Sequence, residues 1–138
     1  MALARVITLE RELPEAMSLY LKGKTGKALA RESDRLDFAS RRSNVPALTT
    51  VLSESQDALI AQLKADGFDP SKMRLPAEQW FPATDGLKIV LALSTFVNAN
   101  LNDFKQPNPI LRDLKAAEAL LAAAEAAGVR FHFSNADL

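Results

Sequence analysis

The chain has 138 residues, of which 48% are hydrophobic and 25% are charged, a composition typical of one globular domain. It contains no cysteine, which excludes a disulfide framework, a thiolate zinc site and a cysteine nucleophile. Its 17 basic and 17 acidic side chains give a formal net charge of zero, so the chain lacks the cationic excess on which nonspecific nucleic-acid binding depends.

The N-terminal segment and the apolar stretches give no sign of export or membrane insertion. No stretch approaches the roughly 20 continuous apolar residues of a membrane-spanning helix, and the longest, residues 87–97, contains Lys88. Arg5 and Glu10 stand near the start without the longer apolar run of a signal peptide. We therefore expect a cytoplasmic protein with no contact to a membrane.

Both ends of the chain show strand patterns. Residues 4–10 are rich in β-branched types, and residues 129–133 alternate apolar and polar side chains. An isolated two-stranded hairpin is marginal, so we expect the two strands to pair across the helices and close the domain. The alternation predicts that His132 lies opposite Phe131 and Phe133, on a polar or partly exposed face.

Helical periodicity fills most of the middle of the chain. Residues 15–22 and 26–42 each predict a helix, and Gly23 and Gly26 mark the loop between them. Ser53 and Gln56 have the spacing of a capping box, which predicts a following helix with Leu59 and Leu63 on its buried side.

Two longer helices are predicted in the second half. One is capped by Thr84 or Asp85, ends near Asn100 and is apolar nearly all round, so we expect it at the centre of the fold. The other starts at Asn108-Pro109 and ends at Gly128. The sequence thus predicts a single α+β domain over residues 1–138, predominantly helical, with about four to five helices and a small sheet of the terminal strands.

The lysine-rich turn before residue 28 is a candidate anion site. Residues 18–25 resemble the end of a phosphate-binding loop, but Ser18 replaces its first glycine and a helix pattern precedes it. A simpler hypothesis is that Lys24, Thr25 and Lys27 bind an anion at the start of a helix. A solvated, glycine-flanked turn is the structural alternative.

The aromatic pair Trp80-Phe81 lies in a proline-rich connection beside Glu78. Such a pair can line a ligand pocket or a partner surface, although closing one end of a core is the more common role. His132 is the only histidine, and a catalytic or ligand role for it would need positioned partners. No metal-ligand spacing and no nucleophile elbow occurs, so we expect no metal, no cofactor and no catalytic residue.

Three stretches together are similar to those of small uncharacterised bacterial proteins. They are residues 26–30 followed by Leu36 and Asp37, residues 78–81 followed by Gly86 and Leu87, and residues 128–132. The resemblance spans most of the chain. It implies one bacterial domain and no assigned activity or site.

Three functional hypotheses follow. The first is a non-enzymatic protein-interaction domain, an adaptor, inhibitor or immunity-like partner, present as a monomer or homodimer. The second is a small-molecule binder or enzyme whose pocket contains Trp80, Phe81, Glu78 and His132. The third, and least favoured, is weak nucleic-acid binding by a basic set comprising Lys22, Lys24, Lys27, Arg31 and Arg35.

Overall fold

The computed structural model describes residues 3–22 and 26–137. Two strands and six α-helices occur in these ranges, together with short 3-10 helices at Leu48–Val51, Pro70–Lys72 and Leu101–Asp103. In chain order the elements are β1 (Leu3–Leu9), α1 (Pro14–Lys22), α2 (Lys27–Arg31), α3 (Ser33–Arg42), α4 (Gln56–Ala65), α5 (Ala83–Ala99), α6 (Pro107–Ala127) and β2 (Phe131–Asp137).

The terminal strands pair with each other, as predicted. β1 and β2 are antiparallel, with Ile7 opposite Phe133 and Thr8 opposite His132. β2 begins and ends later than the sequence pattern indicates, at Phe131 and Asp137. The protein is therefore α+β and mostly helical, with its small sheet formed by the two ends of the chain.

Two loop segments line the other edge of β2. The backbones of Phe81 and Phe131 exchange hydrogen bonds of 2.8 and 2.9 Å, and the N–H of Ser53 donates to the carbonyl of Phe133 at 2.9 Å. The N–H and carbonyl of Phe131 and the carbonyl of Phe133 are thus hydrogen-bonded on the side away from β1. This pairing brings the aromatic connection before α5 against the C-terminal strand.

The core lies between α5, α6 and the sheet. The buried residues of α5 form a stripe along one side, consisting of Ala83, Gly86, Ile89, Val90, Leu93 and Val97. Although the sequence of this helix is apolar nearly all round, the helix is buried along this stripe only, and Leu91 on its other side is about half exposed. Gly86 allows the close contact of α5 with the sheet, since a Cβ there would collide with Cζ of Phe131 and lie 3.1 Å from Cδ1 of Leu121.

Several helix ends differ from the sequence prediction. The helix expected over 26–42 is divided at Glu32, whose φ of −111° and ψ of 33° separate α2 from α3. α5 begins after Pro82, with Thr84 and Asp85 inside its first turn. α6 begins at Pro107 after Gln106, ahead of the predicted Asn108 cap, and ends at Gly128 as predicted, with φ at 67°.

The predicted cap of α4 is also misplaced. Ser55 caps this helix by accepting from the N–H of Ala58 at 3.1 Å. Ser53 instead accepts from the N–H of Gln79 at 2.8 Å, so it holds the aromatic connection. Leu59 and Leu63 are only half-buried, because α4 packs loosely against the rest of the domain. No helix in residues 3–22 or 26–137 is long and apolar enough to cross a membrane.

Candidate functional site

The structure brings Glu78, Trp80 and His132 into one cluster. Nε2 of His132 lies 2.7 Å from Oε2 of Glu78, and Nδ1 lies 3.1 Å from the carbonyl oxygen of Phe133. The indole ring of Trp80 packs on the imidazole, with centroids 4.6 Å apart and planes at 41°. Phe81 follows on the same segment and packs against Phe131 at a centroid distance of 6.4 Å.

His132 is buried, so the prediction that it lies on a polar or partly exposed face is wrong. The residue is 1% exposed. The His132 side chain does lie on the side of β2 opposite Phe131, as the alternation requires. The connection carrying Glu78 and Trp80 covers that side. A ligand could reach the imidazole only if this connection moved.

Both ring nitrogens of His132 are engaged within the protein. The Phe133 carbonyl can only accept, so Nδ1 donates to it, and Nε2 is hydrogen-bonded to the Glu78 carboxyl group. With both nitrogens so occupied, this arrangement anchors the connection to the strand and leaves no ring nitrogen directed at a substrate.

The predicted anion site lies partly outside the described residues, because Lys24 and Thr25 fall in the segment that is not described. Lys27 begins α2 and is half-buried. The backbone donors at this helix end meet a carboxylate of the protein itself, since Oδ2 of the buried Asp113 accepts from the N–H of Ala28 at 3.1 Å. An added anion would be repelled by the Asp113 carboxylate, which already accepts from this helix end, so the geometry does not favour the anion hypothesis.

Burial raises the pKa of Asp113 above its ordinary value of 3.8, although hydrogen bonds from the backbone of Gly26, Ala28 and Leu29 act in the opposite direction. Desolvation is the larger effect. The Asp113 carboxyl therefore fixes α2 on α6 at a cost in electrostatic free energy.

A second buried carboxylate, Glu32, escaped sequence reasoning. Its Oε1 accepts from the N–H of Lys105 at 2.7 Å and its Oε2 from the N–H of Gln106 at 3.2 Å. The break between α2 and α3 places this side chain at the start of α6, where donors without intrahelical partners and the helix dipole favour an anion. In the sequence Glu32 lies within one continuous helical pattern and is typical of an ordinary surface position.

The described residues also contain a groove that the sequence patterns did not indicate. It lies between β1 and α1, has a volume of about 490 Å³ and is mostly apolar. From α1 it is lined by Pro14, Met17, Ser18 and Leu21, which follow one another at helical spacing. Leu21 is 60% exposed, and Leu19 on the same helix is 75% exposed.

The edge of β1 beside this groove is partly closed. The hydroxyl of Tyr20 accepts from the N–H of Ile7 at 3.1 Å, and the carbonyl of Gly26 accepts from the N–H of Arg5 at 2.9 Å. These contacts occupy the positions that another strand would use. The groove therefore offers apolar side chains to a partner rather than a free strand edge.

Comparison with known protein families, with curated proteins and with solved structures gave no match to the chain. Within residues 3–22 and 26–137, no three His, Cys, Asp or Glu side chains converge as metal ligands.

Proposed function

We propose that this protein is a non-enzymatic protein-interaction domain, an adaptor, inhibitor or immunity-like partner, and that the groove between β1 and α1 receives its partner. The observation that carries the proposal is the exposure of Leu21 on the wall of an apolar groove of about 490 Å³. Leaving a leucine side chain in water forgoes roughly 1.5–3 kcal/mol relative to full burial, and a partner that covers Leu21 would recover part of this.

The geometry favours a helical partner over an extended one. Tyr20 and Gly26 already accept the outward-facing donors of β1 at Ile7 and Arg5, so added strand pairing would have to break these bonds. An amphipathic helix needs only an apolar groove into which its side chains fit. Arg11 and Glu12 at the rim carry opposite charges, so apolar contacts supply most of the affinity.

The experiment compares partner capture by the wild-type protein with capture by Leu21→Asp and by Leu91→Asp. Leu91 is also exposed but lies on α5, which makes it the matched control. We expect the wild type and the control to retain the same specific protein from lysate of the source cells, and Leu21→Asp to lose it. Equal recovery by all three proteins, or no specific recovery by the wild type, contradicts the proposal.

We further propose that the protein works in the cytoplasm as a monomer or homodimer. The absence of cysteine fits a reducing compartment. Cell fractionation tests the location, and light scattering coupled to size exclusion tests the oligomeric state. A larger assembly, or recovery outside the cytoplasmic fraction, would contradict this part of the proposal.

A further inference from the structure

A second cavity, of about 470 Å³, lies between α3, α5 and the segment that joins α5 to α6. Its apolar walls are Phe38, Phe96 and Phe104. The rings of Phe96 and Phe104 meet edge to face, with centroids 6.4 Å apart and planes at 85°. Phe104 is buried, whereas Phe38 is 49% exposed. Three aromatic rings from three segments thus surround a space that the core does not fill.

The charged residues that line this cavity are two acids and one base, Asp34, Asp103 and Arg35. Asp34 lies one helical turn before Phe38, and Asp103 directly precedes Phe104. Arg35 also lines the cavity, and its Nη1 donates to the backbone carbonyl of Asp103 at 2.7 Å, which holds the guanidinium at one side. Two carboxylates against one guanidinium leave the lining with a formal excess of one negative charge.

We propose that this cavity binds a small organic cation of the alkylammonium class. The face of a phenyl ring carries negative electrostatic potential and attracts a cation, and weakly hydrated quaternary ammonium groups suit such aromatic surroundings. Asp34 and Asp103 complement the same charge from the rim. An anion would meet both carboxylates, and a neutral ligand would gain only from the burial of apolar surface. This cavity and the groove between β1 and α1 share no lining residue, so the proposal is independent of the proposed function.

The test is a titration of the isotopically labelled protein with choline, followed by NMR. Dimethylbutanol, the neutral isostere in which a quaternary carbon replaces the nitrogen, is titrated in parallel. We expect saturable shifts of the Phe38, Phe96 and Phe104 resonances with choline, and affinity for the isostere weaker by about fivefold or more.

Three variants complete the experiment. Phe38→Leu keeps apolar volume but removes one aromatic face, and should weaken choline binding about fivefold. Asp34→Asn should also weaken choline binding, because it removes one negative charge and leaves the three aromatic rings unchanged. Phe68→Leu is the matched control, because Phe68 is a similarly exposed phenylalanine following α4, and should leave affinity unchanged. Equal affinity for the isostere, unchanged affinity in both Phe38→Leu and Asp34→Asn, or no saturable choline binding overturns the proposal.

Discussion

Nε2 of His132 lies 2.7 Å from Oε2 of Glu78 and so joins the C-terminal strand to the connection before α5 across 54 positions of sequence. The same connection pairs its backbone with β2 through Phe81 and stacks Trp80 on the imidazole. Three different kinds of interaction thus converge on one short segment. They explain why a proline-rich connection that lacks regular structure is held in one place.

Replacing His132 by alanine should lower the free energy of unfolding by about 2–3 kcal/mol. The substitution removes a buried ring in contact with Trp80 and the hydrogen bonds of that ring to Glu78 and to the Phe133 carbonyl. Glu78→Ala should cost less, because the Glu78 side chain is partly exposed. Denaturant unfolding of both single variants and the double variant measures their coupling, which we expect to exceed about 0.5 kcal/mol. Additive effects would show that the pair does not interact in solution.

Gly86→Ala should destabilise the protein although it improves helix propensity. Overpacking against Phe131 and Leu121 costs up to about 3 kcal/mol, while alanine gains about 1 kcal/mol over glycine in a helix. A net loss of up to about 2 kcal/mol is therefore expected in thermal or denaturant unfolding. Asn98→Ala, at an exposed position of the same helix, is the control and should change stability by less than about 0.5 kcal/mol. A neutral Gly86→Ala variant would contradict the close packing of α5 on the sheet.

Asp113 makes stability depend on pH in a defined direction. Burial raises the pKa of this carboxyl above its ordinary value of 3.8. The contribution of the carboxyl to the free energy of unfolding is therefore fully present below pH 3.8 and is lost as the pH rises through the folded-state pKa. Asp113→Asn keeps an acceptor for Ala28 but cannot titrate. The stability of the wild type relative to this variant should therefore fall as the pH rises above about 4. If the stability of the wild type relative to Asp113→Asn instead rises with pH, the pKa of Asp113 is not raised by folding.

Tyr20→Phe tests the closure of the β1 edge. The variant keeps the buried ring but removes the hydroxyl that accepts from the N–H of Ile7. We expect a loss of about 1–2 kcal/mol, the cost of an unsatisfied buried donor, and faster amide exchange at Ile7 in hydrogen-exchange NMR. Unchanged exchange at Ile7 would mean that the hydroxyl does not protect the strand edge.

Sequence patterns predicted the parts of the fold that depend on local periodicity. The alternation at Phe131 and Phe133 gave the C-terminal strand, and Gly128 gave the end of α6 because its left-handed conformation suits glycine. The pairing of the two terminal strands followed from the instability of isolated strands. These features need no knowledge of distant contacts.

The parts that sequence reasoning missed depend on contacts between distant segments. The alternation in β2 correctly places His132 on the side opposite Phe131, and that side was expected to face solvent. Nothing in the local sequence reveals that the connection carrying Glu78 covers it. Ser53 has the spacing of a helix cap, but it accepts from Gln79 instead. Glu32 divides a continuous helical pattern and places its carboxylate at the start of α6. The sequence analysis named Glu78, Trp80 and His132 as parts of one candidate site, and these residues are in contact in the structure. No sequence pattern indicated the groove between β1 and α1.

The most direct test of the proposed function is photo-crosslinking within the source cells, with a photoreactive residue placed at Leu21 of the full chain. Leu21 is exposed on α1 and lines the groove, so the substitution leaves the core intact. The same residue at Leu91 on α5 is the control. Our account predicts one discrete crosslinked protein from position 21 and none from position 91. The same adduct from position 91, or no adduct from position 21, would contradict the assignment of this groove as the binding face.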